Sequence, residues 1–162
     1  MTGAANWVRR LTELPAPGGL PLPGCQALAI DEKLIVAAIR QIVITGRIMP
    51  AVAAALEQGC GAAGAAVHQA LLEWLTLLAD SASRQIAVGA PTHCCPSPDE
   101  VAMLAIIDAA RRGDFTCAHA VLGGLVRRDA VDNLAHAAET LGETIVAAGM
   151  SLTPRRFRPR DR

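Results

Sequence analysis

The sequence predicts an all-α protein, a bundle of about five to six helices with a central Cys/Pro loop. Three observations point there. Apolar residues recur at helical spacing over most of the chain, as in Val67, Leu71, Trp74 and Leu78 or Leu134, Ala138, Leu141 and Ile145. Hydrophobic residues make up 52% of the chain but aromatics only 2%, so alanine fills much of the apolar share and favours close-packed helices. The stretch Ser97-Pro98-Asp99-Glu100 is a strong helix start. Ser97 supplies the N-cap, Pro98 the first helical position, and Glu100 completes a capping box.

Three parts are expected: residues 1–30 as a flexible N-terminal segment and Pro/Gly linker, 31–150 as the helical bundle, and 151–162 as an arginine-rich tail. Residues 1–13 read as a frayed terminus or one short helix carrying Trp7, Val8 and Leu11. Residues 14–24 are rich in proline and glycine. Asp31 is read as the cap of a helix over 32–45, with Ile35, Ile39, Ile42 and Val43 inward and Lys33, Arg40 and Arg47 on the wet side. An alanine-rich helix over 50–58 follows. Gly59, Gly61 and Gly64 then mark a turn or a close backbone approach. A helix over 62–81 sets Val67, Leu71, Trp74 and Leu78 against Gln69, Glu73, Thr76 and Asp80. His68 reads as packed or half-exposed.

Residues 84–88 are short and β-branched, and read as an extended run that could pair with its mate in a dimer. Helices over 98–112, 115–127 and 130–148 complete the bundle. Asp114 and Asp129 are their expected caps, Gly123 and Gly124 weaken the middle one, and His136 is placed on the surface.

The chain of 162 residues is enough for one domain with a real core. Charged residues are 19%, below the ~25% of an average globular chain, which favours a homo-oligomer, a dimer first, or an unidentified protein partner. Net charge is zero, but residues 154–162 hold five arginines and one aspartate, leaving 10 basic against 14 acidic residues elsewhere. An acidic body with a basic tail argues against nucleic acid as the partner. The five cysteines, an odd number, and the lack of a secretory leader point to a cytoplasmic setting. No uncharged apolar run reaches the ~18 residues of a membrane span.

The central loop, Thr92-His93-Cys94-Cys95-Pro96, concentrates the chemistry. His93, Cys94, Cys95, Cys117 and His119 are zinc-ligand types. Cys117 and His119 are two apart in a helix, about 200° around its axis, so both cannot face one ion. His93, Cys95 and Cys117 are therefore the candidate metal set, with Cys94 as alternate ligand and zinc as the one cofactor to consider. Plain thiols without metal are the simpler reading. Cys95 precedes a helix N-terminus, which stabilises a thiolate, although Asp99 and Glu100 oppose it there. A Cys94–Cys95 disulfide would be strained. No catalytic motif is assembled, so no catalytic or cofactor-binding residue is assigned.

Residues 34–148 resemble a family of short, helical bacterial proteins known only as a domain of unknown function. The resemblance rests on Ala38-Ile39-Arg40 with Gly46, on Ser83-Arg84-Gln85-Ile86-Ala87-Val88, and on Cys94-Cys95-Pro96 with Asp99-Glu100. It implies an all-helical fold and an intracellular bacterial setting, and assigns no site residue. The sequence thus supports a non-enzymatic protein acting by self-association or partner binding. The alternative is a metal- or thiol-responsive binding protein that uses the loop from His93 to Cys95.

Overall fold

The computed structural model describes residues 27–46 and 50–155, together with the backbone of Leu11–Leu14. Among the described residues, six α-helices carry the fold: α1 (Ile30–Thr45), α2 (Pro50–Cys60), α3 (Gly64–Ser81), α4 (Pro98–Arg111), α5 (Phe115–Leu122) and α6 (Val131–Ala147). The expected all-helical bundle is therefore present. A two-stranded parallel ribbon accompanies it, β1 (Leu11–Leu14) beside β2 (Ile86–Gly89), in register from Leu11 opposite Ile86 to Leu14 opposite Gly89. Parallel strands need a long crossover. Here α1, α2 and α3 provide it.

α4 is the axis of the molecule. It packs against α5, α6 and β2, while α6 also lies on α3. Every residue from Ala102 to Ala110 is buried. A helix enclosed on all sides has no polar stripe to spare, which explains the run Ala102-Met103-Leu104-Ala105-Ile106-Ile107. Its one buried charge there, Asp108, is answered by Arg111 at 3.1 Å and Arg112 at 2.9 Å. Close approach depends on small residues. A Cβ on Gly142 of α6 would lie 2.7 Å from Arg111 Cβ and 2.9 Å from Ile107 O. The same holds between α2 and α3, where a Cβ on Gly64 would lie 3.0 Å from the backbone of Leu56 and Glu57. The predicted seams are inside: Ile35, Ile39, Ile42 and Val43 of α1, Val67, Leu71, Trp74 and Leu78 of α3, and Leu134, Ala138, Leu141, Ile145 and Ala148 along α6 and its cap, while Val131, expected to start that last seam, is only half-buried. Trp74 Nε1 donates to Leu134 O at 3.3 Å, joining α3 to α6. The run Pro50–Ser81 is long and apolar enough to cross a bilayer by length and composition, and the inner face of its α3 part lies in this core.

Several local expectations are corrected. Leu11–Leu14 is strand, where a frayed terminus or a short helix was expected, and it pairs with one edge of β2. The linker before Gln26 and Arg47 lie outside the described residues. Helix α1 starts at Ile30, and the free N–H of Ala29 is met by Glu32 Oε2 at 3.0 Å, not by Asp31. Asp31 instead accepts from the backbone and hydroxyl of Ser151, at 2.8 and 2.9 Å. Helix α5 stops at Leu122, where the two glycines begin. A single 3-10 turn, Arg128–Ala130, opens α6, so Asp129 is not its cap.

Residues 151–155, the described part of the arginine tail, are docked through Arg155, whereas residues 156–162 lie outside the described residues. Arg155 forms a forked ion pair with the fully buried Glu32, one arm at 2.9 Å. Thr153 N adds a hydrogen bond of 2.8 Å to the same carboxylate. Burial would raise the Glu32 pKa, but Arg155 and the Thr153 and Ala29 N–H groups outweigh it and hold it at about 2.

Candidate functional site

The site is built at the N-terminus of α4. Ser97 Oγ accepts from Glu100 N at 3.0 Å, and Glu100 Oε2 accepts from Ser97 N at 2.7 Å. This is the capping box the sequence announces. The Ser97 hydroxyl also donates to Ala87 O at 2.6 Å, which ties the helix start to β2.

Glu100 does more than cap. It is fully buried and faces Arg40, which comes from the middle of α1 and is itself only 5% exposed. Arg40 uses all five of its N–H donors. Nε and Nη2 reach the two Glu100 oxygens at 2.8 and 2.9 Å. Nη2 also donates to Cys95 O at 3.0 Å, and Nη1 donates to Ala90 O at 3.1 Å and to His93 O. Glu100 Oε1 accepts from Gly89 N at 3.0 Å as well. A buried charge needs this degree of compensation, because desolvation of each ion costs several kcal/mol, by order of magnitude. Only a planar fork can hold a carboxylate and three carbonyls together. Gly89 leaves room for it, since a Cβ there would lie 2.7 Å from Arg40 Nη2. The sequence placed Arg40 on the wet side. The correction is physical: a 60-residue separation hides the partner that makes burial tolerable.

A second pair braces the other side of the cap. Arg84 holds Asp99 bidentately at 2.9 and 2.7 Å and donates through Nε to Gly124 O at 3.0 Å. Asp99 also accepts from Ala87 N at 2.7 Å. Burial would raise the Asp99 pKa, but Arg84 and the Ala87 N–H lower it below the usual range. Both neighbouring acids of the helix start are therefore anchors for β2 and for the loop.

The loop so anchored carries the sulfurs. Cys95 is buried and disulfide-bonded, whereas Cys94 is an exposed free thiol. Their Sγ atoms are 3.8 Å apart and not bonded to each other. Cysteine count alone suggested reduced thiols throughout, because a count carries no information on which sulfurs meet. His93 Nδ1 lies 2.8 Å from Cys95 O. A carbonyl only accepts, so Nδ1 carries a hydrogen, which leaves Nε2 as the other ring nitrogen. That Nε2 is buried and has no partner among the described residues.

Of the sequence-derived metal set, the His93 ring meets the backbone carbonyl of Cys95, and the Cys95 sulfur, itself in a disulfide, lies beside that of Cys94. Cys117 sits elsewhere, on α5, where Asp114 caps the helix through Cys117 N at 3.1 Å. His119 pairs with Asp132 at 3.5 Å, and Phe115 packs against both His119 and His136. Among the described residues, no group of three or more His, Cys, Asp or Glu side chains is arranged to hold a metal. Sequence reasoning missed Arg40 and Arg84. Their positions on runs marked Ala38-Ile39-Arg40 and Ser83-Arg84-Gln85 were visible, but not their pairing with Glu100 and Asp99.

Fold and site together define a mostly helical bundle whose central cysteine loop is strung on a buried arginine–glutamate pair. No family model matches the chain, and no curated protein or solved structure matches it significantly.

Proposed function

We propose that this protein is a non-enzymatic binding protein whose association, with itself or with a protein partner, responds to the thiol state of the loop from His93 to Cys95. One observation carries the reading: an exposed thiol, Cys94, stands 3.8 Å from a disulfide-bonded sulfur, Cys95, in a loop held by its carbonyls. Pro91, Thr92 and Cys94 are exposed, so the loop is open to a partner, while Arg40 fixes the backbone behind it. Cys60 is a poorer candidate for thiol chemistry, since burial and the charge of Asp31 push its pKa up. The low charge content supports association as the mode of action.

The test is sedimentation velocity on the native protein, on protein with Cys94 alkylated, and on fully reduced protein. A change in mass distribution between the native form and the other two is expected. Identical distributions in all three, alone and with a cell extract added, would remove the reading.

The unpartnered Nε2 of His93 favours one variant of it. Once Cys95 is reduced, His93, Cys94 and Cys95 present one imidazole and two sulfurs on a single loop, donor types that suit zinc. Elemental analysis after reduction and zinc addition should then show one equivalent, lost in Cys94→Ser. Retention of the same zinc by Cys94→Ser would exclude the loop as its site.

A further inference from the structure

We infer that the start of α1 is a peptide-binding notch, filled within one chain by residues 151–155, and that at high protein concentration the same segment of a second copy fills it by exchange. The inference rests on the self-association half of the proposed function and names the surface that carries it.

The segment is held as a ligand is held. Helix α6 closes at Gly149, in the left-handed region at φ 83°, with Gly149 N donating to Val146 O at 2.9 Å and Met150 N to Ile145 O at 3.2 Å. That closing motif fixes where the chain leaves the helix. Beyond it, among the described residues, every polar contact that residues 151–155 make outside their own segment goes to Asp31 or Glu32. The Ser151 N–H and hydroxyl donate to Asp31, the Thr153 N–H donates to Glu32, and Arg155 forks onto Glu32. Leu152 is buried against the core. Main-chain hydrogen bonds, a buried apolar side chain and a charged anchor are the working parts of peptide recognition.

The notch needs an occupant. Glu32 is fully buried, and without the guanidinium its carboxylate is a buried charge lacking its cation, which is strongly unfavourable. Opening of the segment therefore leaves two complementary parts on one molecule, an unfilled notch and a loose strand that fits it. The partners lie 120 positions apart in sequence, so nothing in the contact itself requires one chain to supply both. Two open copies regain every one of these contacts by exchanging segments about a two-fold axis, each Arg155 reaching Glu32 of the partner subunit. Within one chain the short connection gives the segment an effective concentration on the order of millimolar. The closed monomer therefore prevails in dilute solution, and exchange shows when protein is concentrated or when the contact is disabled within each chain.

The test is complementation between two full-length variants, read by sedimentation velocity at neutral pH. Arg155→Ala keeps the notch and loses the anchor, whereas Glu32→Gln keeps the segment and disables the notch. An equimolar mixture should contain a species of twice the monomer mass that neither variant forms alone. An excess of a synthetic peptide spanning residues 149–155 should dissolve it. The double variant Glu32→Gln/Arg155→Ala should form it with neither single variant. Circular dichroism checks that each variant folds. Leu152→Asp, which unseats the segment and leaves the ion pair's residues in place, stands in for Arg155→Ala if that one does not. A measurement on the wild type needs no variant: its dimer should grow with protein concentration and be suppressed by the same peptide. Three outcomes would overturn the inference: a mixture of folded variants that stays monomeric, association of equal strength with the double variant, or a wild-type dimer indifferent to the peptide. A monomeric mixture alongside a retained effect of thiol state on wild-type sedimentation would sink this inference alone. A complementing mixture alongside wild-type sedimentation indifferent to thiol state would sink the thiol-responsive reading alone.

Discussion

Arg40 directs five N–H groups at one carboxylate and three loop carbonyls, and each of those acceptors is left buried if the guanidinium goes. Truncation strands the Glu100 charge in a dry site, so Arg40→Ala should lose about 3–5 kcal/mol of unfolding free energy in a urea titration. Arg40→Lys keeps the charge but not the fork, and should recover only part of that loss. A full recovery by lysine would mean that charge alone matters here and the carbonyl contacts do not. Ser97 shows a smaller version of the same economy, with one hydroxyl accepting from Glu100 N and donating to Ala87 O. The capping half of its role is readable from four residues in a row. The half that reaches β2 is not, because it depends on where another segment folds.

At the scale of elements, helix contacts and the C-terminal strap make separable predictions. Gly142 lies where α6 meets α4, and a methyl group there would press on Ile107 O and Arg111 Cβ. Gly142→Ala should therefore destabilise by about 1–3 kcal/mol despite alanine's better helix propensity, measured as a shift of the urea midpoint. A gain in stability would mean that α4 and α6 can separate at little cost. The strap that ends at Arg155 depends on ionised Glu32. Its folded pKa, about 2, lies below the ordinary value of 4.5, so the stabilisation is complete above about pH 4.5 and is lost as pH falls toward 2. Protection of the Ser151 and Thr153 amides, taken as exchange rate relative to the intrinsic rate at each pH, should fall over that window, and Glu32→Gln should show the lost protection already at pH 7. Unchanged protection between pH 4.5 and 2 would detach the strap from Glu32.

For the whole molecule, α4 is enclosed by α5, α6 and β2, whereas α2 buries only Leu56. Local opening therefore exposes little apolar surface at α2 and a great deal at α4. Native-state hydrogen exchange should find the strongest protection in the middle of α4, equal to the global unfolding free energy, and weaker protection in α2. Comparable protection in both would contradict a single core centred on α4. The same enclosure accounts for the low charge content. Much of the apolar surplus goes into a helix with no wet face, and among the described residues Ile30, Ile44 and Val146 are the large hydrophobic side chains left exposed.

The amino-acid order by itself determined the helices, their inward seams and the start of α4, because these follow from spacing and capping within a few residues. It also singled out the loop at His93, Cys94 and Cys95. Only the tertiary structure decided that Arg40 belongs inside, that Leu11–Leu14 joins β2, that Arg155 closes on Glu32, and that Cys95 rather than Cys94 is disulfide-bonded. Each of these depends on residues far apart in the chain. A charge becomes tolerable in the core only when a distant partner arrives to neutralise it, and no local pattern records which partner that will be.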